Sequence, residues 1–411
     1  MPLSYTTVAS GFDRTSADLW LSPELAGEEQ VVELAGVPDH TALIANVQQT
    51  GFYRVNYDEE NWRLLAELLV ANHTAIHRIN RAQILDDAFG LARAGLLAYP
   101  TALATTEYLA GEEDYIPWEA ALTGFKYLQS MLARSAGWGA LQAYMLGELQ
   151  PLFDRLGFEE RPGEDFLDEK LRIELLAVLC RLGHTQCSES SSYLLDQWMA
   201  LPDPDSTNPI PPSLRSTVLC TAIARGHVSH WDFLWQRYLA SNNANEKNNI
   251  LGALACSREV WLLQRYLDMS IEPESGVRKQ DGYRVIVGVS RNLVGRYVAW
   301  DWIRANWAAL SAYYDTAISS SVGRIISAVA GDFNTPHNLA ELEAFIAEHE
   351  GELGTAGRDA EVMVQGTKAN IGWMTEHYQT ILDWLPPMEA SRAPRAHQAP
   401  PATEALEGRR S

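Results

Sequence analysis

Residues 117–132 read PWEAALTGFKYLQSML, and this stretch decides the fold class. Its large apolar residues recur at intervals of three and four positions, as Trp118, Leu122, Phe125, Leu128 and Leu132. That spacing places them on one face of an α-helix. Pro117 stands in the first turn, where a helix tolerates the missing backbone N–H group. We therefore predict an amphipathic helix whose apolar face needs a partner.

The same periodicity recurs from residue 61 to residue 385, broken by turn-forming Gly, Pro, Asn and Ser. Clear stripes cover 76–94, 166–182, 213–225, 231–240, 258–267, 295–310, 337–348 and 371–384. Many helices joined by short turns fit stacked helix pairs better than one globular bundle. The prediction is a mostly α fold, an α-solenoid of HEAT- or armadillo-like helix pairs over 58–385. No repeat consensus recurs at a fixed period.

The two ends of the chain differ from this array. Short alternating runs at 31–35, 41–47 and 51–57 predict β-strands, too few to form a stable domain alone. The Pro- and Ala-rich residues 386–411 predict a disordered tail. No apolar run reaches the roughly 18–20 residues that cross a bilayer, so we expect no membrane insertion. Residues 1–10 lack the basic and apolar regions of a signal peptide.

Composition excludes several classes of function. The chain has 411 residues with 53 acidic and 32 basic side chains, which gives a net charge of −21. Nucleic-acid binding needs clustered Lys and Arg, so we expect no nucleic-acid partner. The hydrophobic fraction of 46% excludes wholesale disorder. An acidic surface is compatible with amine-bearing ligands, although it often serves solubility alone.

The best candidate for a metal site is the pair His73 and His77, spaced as in the H-E-x-x-H motif of zinc peptidases. Thr74 occupies the position of the general-base Glu, and Leu96 stands where such a site would place its third ligand. We therefore interpret the pair as an exposed helix start. The 411 residues contain no G-x-S-x-G motif, no phosphate-binding loop and no dinucleotide fingerprint.

Two sequence features concern covalent modification. The four cysteines, Cys180, Cys187, Cys220 and Cys256, could form the bridges 180–187 and 220–256 or remain as free buried thiols. Asn72-His73-Thr74 is an N-glycosylation sequon, so Asn72 is a candidate glycosylation site. Bridges, if formed, would indicate an oxidising compartment.

Seven strings together resemble the carboxyl-terminal region of the M1 zinc aminopeptidases. They are GFYRVNYD (51–58), NRAQILDDAF (80–89), DYIPW (114–118), WLLQRYL (261–267), VRKQD (277–281), WDW (300–302) and KANIGW (368–373). The string PLSYTT (2–7) resembles the last part of the family's small β-sandwich domain, so residues 1–57 are predicted to be the remnant of that domain. The resemblance covers roughly residues 1–385 in unbroken order.

The resemblance also implies roles for named residues. It places the four cysteines where the family has two disulfides, Cys180–Cys187 and Cys220–Cys256. It makes Arg278, Lys279 and Gln280 candidates for lining a peptide groove, against the alternative that they only begin a helix. Arg81 and the pair Asp86–Asp87 are interpreted as braces between helices. The implied location is the secretory pathway or the cell surface.

The family's chemistry lies upstream of this region. Its zinc motif H-E-x-x-H and its exopeptidase motif G-A-M-E-N are absent from these 411 residues. The resemblance therefore implies that this chain binds no zinc and carries no catalytic residue. We expect a truncated chain that forms the lid and wall of a peptide chamber, with peptides, a catalytic half or a second copy as partners. The alternative is a stand-alone helical-repeat protein that binds peptides or proteins.

Overall fold

The structure is a computed structural model that describes residues 2–17, 19–21, 31, 37–38, 40–314 and 320–386. Within these residues it contains 17 α-helices and four two-residue strands. The helices are α1 (Glu59–Asn72), α2 (Arg78–Arg93), α3 (Tyr99–Ala104), α4 (Tyr115–Leu132), α5 (Trp138–Leu156), α6 (Phe166–Arg181), α7 (Thr185–Met199), α8 (Arg215–Arg225), α9 (Val228–Ala240), α10 (Ala244–Leu254), α11 (Val260–Met269), α12 (Lys279–Arg291), α13 (Gly295–Ala305), α14 (Trp307–Tyr314), α15 (Ser321–Ala330), α16 (Pro336–Glu348) and α17 (Gly357–Trp384). The predicted mostly α class is confirmed.

The helices form two layers, as expected of a stack of helix pairs. In one layer α2, α4, α6, α8, α10, α12, α15 and α17 each pack on the next. The intervening helices, such as α5, α7, α9, α11, α13 and α16, cover them from the other side. The predicted apolar stripe of α4 lies between these layers, and its residues Trp118, Phe125 and Leu128 are all buried in the shared core. Each helix therefore needs its neighbours to hide its apolar face.

The last helix packs against the first ones. α17 contacts α3 directly, and the ring of Trp373 lies edge-on to Tyr127 of α4, with 5.3 Å between ring centroids. Near the end of α17, Trp384 packs edge-on against Tyr144 of α5. The two ends of the helical array are thus fastened together.

The strands are shorter than the sequence predicts, and of the predicted runs only 41–47 contains one among the described residues. β1 (Pro2–Leu3) pairs antiparallel with β3 (Leu19–Trp20), and β2 (Tyr5–Thr6) pairs antiparallel with β4 (Ile44–Ala45). The prediction of a strand at 51–57 is wrong, although these residues do alternate between exposed and half-buried. Their backbone bonds to side chains instead of to another strand, Val55 to Asp87 of α2 and Gly51 and Tyr53 to Asn46. The run at 31–35 lies outside the described residues except for Val31.

Two helix boundaries differ from the predicted stripes. The stripe at 295–310 divides into α13 and α14 at Asn306, whose backbone leaves the helical conformation with φ −113° and ψ 18°. Its side-chain amide also donates to the carbonyl of Trp302 at 2.9 Å. The stripe at 371–384 is the second half of α17, which begins at Gly357. No helix among the described residues combines the length and apolarity required of a membrane span. Of the predicted tail, only residue 386 belongs to the described part.

Candidate functional site

A polar face of α2 fastens the amino-terminal segment to the helical array. Asn80, Gln83 and Asp87 are buried and lie three and four positions apart; we name these three residues the α2 seam. The backbone N–H of Gln48 donates to Oδ1 of Asn80 at 2.9 Å. Nε2 of Gln83 donates to the carbonyl of Ala45 at 3.2 Å. The seam therefore satisfies backbone groups that a sheet would otherwise pair.

The carboxylates of α2 hold the extended segment 51–57. The backbone N–H of Val55 donates to Oδ2 of Asp87 at 3.0 Å. Arg54 lies beside both carboxylates, with Nη1 at 2.8 Å from Oδ2 of Asp86 and 3.3 Å from Oδ1 of Asp87. Burial raises the pKa of Asp87, although the hydrogen bonds from Val55 and Gln83 lower it. Asp86 and Asp87 thus brace α2 against the segment before α1, not against a second helix.

A second buried ionic cluster joins α2 to the start of α4. Nε of Arg81 lies 2.7 Å from Oε2 of Glu112, and Nη2 lies 3.0 Å from Oε1. Nη1 donates to the carbonyl of Ile76 at 2.7 Å. Burial disfavours the charge on Arg81, but Glu112 outweighs it and the pKa of Arg81 is raised. Arg81 thus braces two helices, in line with its interpretation from the sequence.

His73 and His77 do not form a zinc site. His73 lies in a 3₁₀ turn after α1, whereas His77 is the N-cap of α2, where its side chain accepts from the backbone of Ile79. The two residues therefore do not share a helix face. Burial lowers the pKa of each ring. No group of three or more His, Cys, Asp or Glu side chains in the described part of the chain is arranged to hold a metal.

Both disulfides implied by the resemblance are present. Cys180 at the end of α6 bonds to Cys187 in α7, with a Cα–Cα distance of 5.2 Å. Cys220 in α8 bonds to Cys256 after α10, with a Cα–Cα distance of 5.3 Å. Each bond therefore links neighbouring elements of the array.

Arg278, Lys279 and Gln280 are exposed at the start of α12. Nη2 of Arg278 lies 2.6 Å from Oδ2 of Asp281, an ion pair within one helical turn. The ammonium of Lys279 lies 5.0 Å from the ring centroid of Tyr313. The structure therefore makes all three accessible to a ligand, while Arg278 also serves the helix start.

An open cleft of about 340 Å³ runs along α16, facing Arg304 of α13. It has a small apolar floor and a rim that carries charges of both signs, and its lining is Arg304, His337, Ala340, Glu341, Ala344, Phe345, Glu348 and His349. Oε1 of Glu341 forms an ion pair with Nη1 of Arg304 at 2.8 Å. Sequence reasoning missed this cleft, because its two walls are more than thirty positions apart in the chain.

The sequon residue Asn72 is exposed at the end of α1. The hydroxyl of Thr74 donates to Oδ1 of Asn72 at 2.8 Å, so the two residues that define the sequon lie side by side on the surface.

The fold defines a class, a mostly α array of packed helices whose last helix contacts the first ones. Residues 42–367 match the family described as ERAP1-like C-terminal domain, and the chain belongs to this family, the carboxyl-terminal domain of M1 aminopeptidases. It is 38% identical to aminopeptidase Ey of Gallus gallus over 379 residues, which are 89% of this chain and 38% of that protein. It is 37% identical to aminopeptidase N of Homo sapiens over 386 residues, 92% of this chain and 39% of that protein.

The likeness extends to insects. Aminopeptidase N of Plutella xylostella is 34% identical over 377 residues, 91% of this chain and 39% of that protein. The chain therefore spans about two fifths of the length of the relatives it matches. The resemblance to M1 aminopeptidases is confirmed.

Proposed function

We propose that this chain is the chamber-forming lid domain of an M1 zinc aminopeptidase, an enzyme that releases amino-terminal residues from peptides. The observation that carries the proposal is the family match over residues 42–367 of an array whose last helix packs on its first ones. Zinc and the groups that recognise a free amine would come from another part of the enzyme. This chain would supply walls that limit how a peptide reaches them.

The same proposal implies that the isolated chain has no peptidase activity. Its one histidine pair with peptidase spacing is divided between a 3₁₀ turn and a helix cap. H-E-x-x-H occurs nowhere in the 411 residues. No step of peptide hydrolysis can therefore be assigned to a residue of this chain.

The ligands we propose are peptides. A net charge of −21 would favour amine-bearing substrates over anionic ones. Arg278, Lys279 and Gln280 are accessible at one helix start and offer donors to backbone carbonyls or a terminal carboxylate. HEAT-like stacking would present such groups on an extended surface.

We also propose that the protein matures in the secretory pathway. Two disulfides support an oxidising compartment, and the exposed Asn72 supports N-glycosylation there. A mass loss on treatment with an N-glycosidase, abolished in Asn72→Gln, is the expected result. Secreted protein of unmodified mass would contradict the glycosylation.

The proposed function is tested by assaying the purified chain alone and together with a zinc-bearing half. The purified chain with added zinc should release no arylamine from aminoacyl-arylamides beyond a buffer blank, with or without a chelator. Added to the zinc-bearing half of human aminopeptidase N, it should co-elute and change the preference for peptide length. Peptide binding without any effect on that half would favour the stand-alone peptide-binding protein instead.

A further inference from the structure

The longest connection between two helices of the described residues joins α7 to α8 and covers residues 200–214. It contains five prolines, at positions 202, 204, 209, 211 and 212, and we name it the proline loop. Proline has no backbone N–H group to donate and is disfavoured inside helices and central strands. The proline loop therefore stays out of regular structure, and most of its residues from 202 to 209 are exposed.

The exposed part of the proline loop is fixed to the helices at both ends. The indole N–H of Trp198 donates to the carbonyl of Pro204 at 2.9 Å. Ile210 is 1% exposed, and its carbonyl accepts from Nε of Arg215 at 3.1 Å. Residues 205–209 lie between these two points, so the fold holds them at the surface of the protein.

Thr207 lies in the middle of this segment and is exposed. Its hydroxyl has no hydrogen-bond partner among the described residues. The hydroxyl of Ser206 differs, because it donates to the carbonyl of Asp203 at 3.0 Å within a turn. Thr335 also precedes a proline, but its hydroxyl accepts from the backbone N–H of Asn338 and caps α16. The Thr207 hydroxyl is thus both accessible and unengaged.

The residues that follow Thr207 indicate which modification it would take. Asn208 precedes Pro209, which disfavours the helical conformation at Asn208 and favours an extended one. Thr and Ser in proline-rich surface segments are typical acceptors of O-linked sugars. Asn208 itself is excluded as an N-glycosylation site, because Pro209 and Ile210 follow it where a sequon requires a residue other than proline and then Ser or Thr.

We propose that Thr207 is an O-glycosylation site, the acceptor of N-acetylgalactosamine from the nucleotide sugar UDP-N-acetylgalactosamine. Oγ1 of Thr207 forms a bond to the anomeric carbon of the sugar. The bond from that carbon to the phosphate oxygen breaks, UDP leaves with the electron pair, and the hydroxyl proton is released. A glycosyltransferase catalyses the step and this chain supplies the acceptor. Modification in cells rests on the proposed maturation in the secretory pathway, whereas accessibility of the hydroxyl is a property of the folded chain.

The test uses the full chain, made in the bacterial periplasm so that its disulfides form without glycosylation. It is incubated with UDP-N-acetylgalactosamine and Golgi membranes as the source of transferases, and mass spectrometry locates the added sugar. Thr207→Val removes the hydroxyl and keeps the shape of the side chain. Thr375→Val is the matched control, because Thr375 is exposed on α17, where its hydroxyl donates to the carbonyl of Ile371 at 2.9 Å. Unchanged thermal midpoints would show that both variants fold.

We expect wild type and Thr375→Val each to gain the mass of one N-acetylhexosamine at Thr207, and Thr207→Val to gain none. A synthetic peptide of residues 201–213 serves as the reference acceptor. Modification of this peptide without modification of the folded chain would overturn the proposal, as would failure of both or a sugar that Thr207→Val leaves in place. A chain that Golgi membranes modify, but that carries no sugar when animal cells make it, would contradict the secretory maturation and spare the site.

Discussion

The indole N–H of Trp373 donates to the phenolic oxygen of Tyr99 at 2.9 Å, across 274 positions of sequence. Both side chains are buried, and their rings meet edge-on with 5.3 Å between centroids. This contact joins α17 to α3. It makes the first and last helices parts of one core, unlike an open solenoid in which each repeat touches only its neighbours.

Replacing Trp373 should therefore destabilise the whole array. Trp373→Ala removes a buried ring and leaves the Tyr99 hydroxyl without its donor, so we expect a loss of about 3–5 kcal/mol in the free energy of unfolding. Urea denaturation followed by circular dichroism measures it. Trp261→Ala is the control, because Trp261 is 50% exposed. Equal losses in the free energy of unfolding of the two variants would mean that the contact between α17 and α3 does not stabilise the array.

Removing one partner of the buried Arg81–Glu112 ion pair should lower the free energy of unfolding. Arg81→Met leaves a buried carboxylate without its partner, and we expect a loss of about 3–5 kcal/mol. Arg63→Met is the matched control, because Arg63 pairs with Glu67 on the exposed face of α1 and such pairs contribute about 0.3–0.5 kcal/mol. The double variant Arg81→Met/Glu112→Met should recover part of the loss. A double variant as unstable as the sum of its singles would contradict an ionic origin.

The two disulfides should stabilise the fold unequally. Cys220–Cys256 spans 36 positions and Cys180–Cys187 spans 7. Loop-closure entropy gives about 4 kcal/mol for the longer loop and about 2.5 kcal/mol for the shorter one. Paired Cys→Ala variants compared by urea denaturation should show the larger loss at 220–256. The reverse order would show that packing around buried Cys187 outweighs loop entropy.

Stability should fall as the pH drops below neutrality, partly through His184. Its Nδ1 accepts from the N–H of Cys187 at 3.3 Å, and burial lowers the pKa of the ring from its usual 6.5. Between the lowered and the usual pKa, the unfolded chain binds the proton more readily, so folding is favoured by rising pH. This contribution is complete above about pH 6.5 and disappears as the pH falls through the lowered pKa.

Denaturation of wild type and His184→Asn at pH 7.5 and 5.5 measures this contribution. Asparagine keeps an N-cap acceptor but does not titrate. Wild type should lose more stability than the variant between the two pH values. An identical loss in both would assign the pH dependence to other groups.

Periodicity predicted the helices well and their contacts poorly. The apolar spacing from Trp118 to Leu132 depends only on local geometry, so α4 contains the whole predicted stripe and begins two residues before Pro117. The contact of Tyr99 with Trp373 depends on how the whole array curves, and no local pattern encodes that. The division at Asn306 arises from the backbone conformation of one residue, which a stripe of apolar residues does not reveal.

The amino-terminal segment shows a second limit. Alternation at 51–57 is real, yet it reflects one side resting on α2 instead of pairing with a strand. The signal that could have shown this is the spacing of Asn80, Gln83 and Asp87, which places three polar side chains on one face of α2. Polar residues on one buried face need partners, and backbone groups of an extended segment supply them.

The most direct test of the central claim measures peptide trimming by the zinc-bearing half of human aminopeptidase N, with and without this chain. We predict no chelator-sensitive release of amino acids by the chain alone, and a changed dependence of the rate on peptide length when both parts are present. Chelator-sensitive hydrolysis by the purified chain alone would contradict the account.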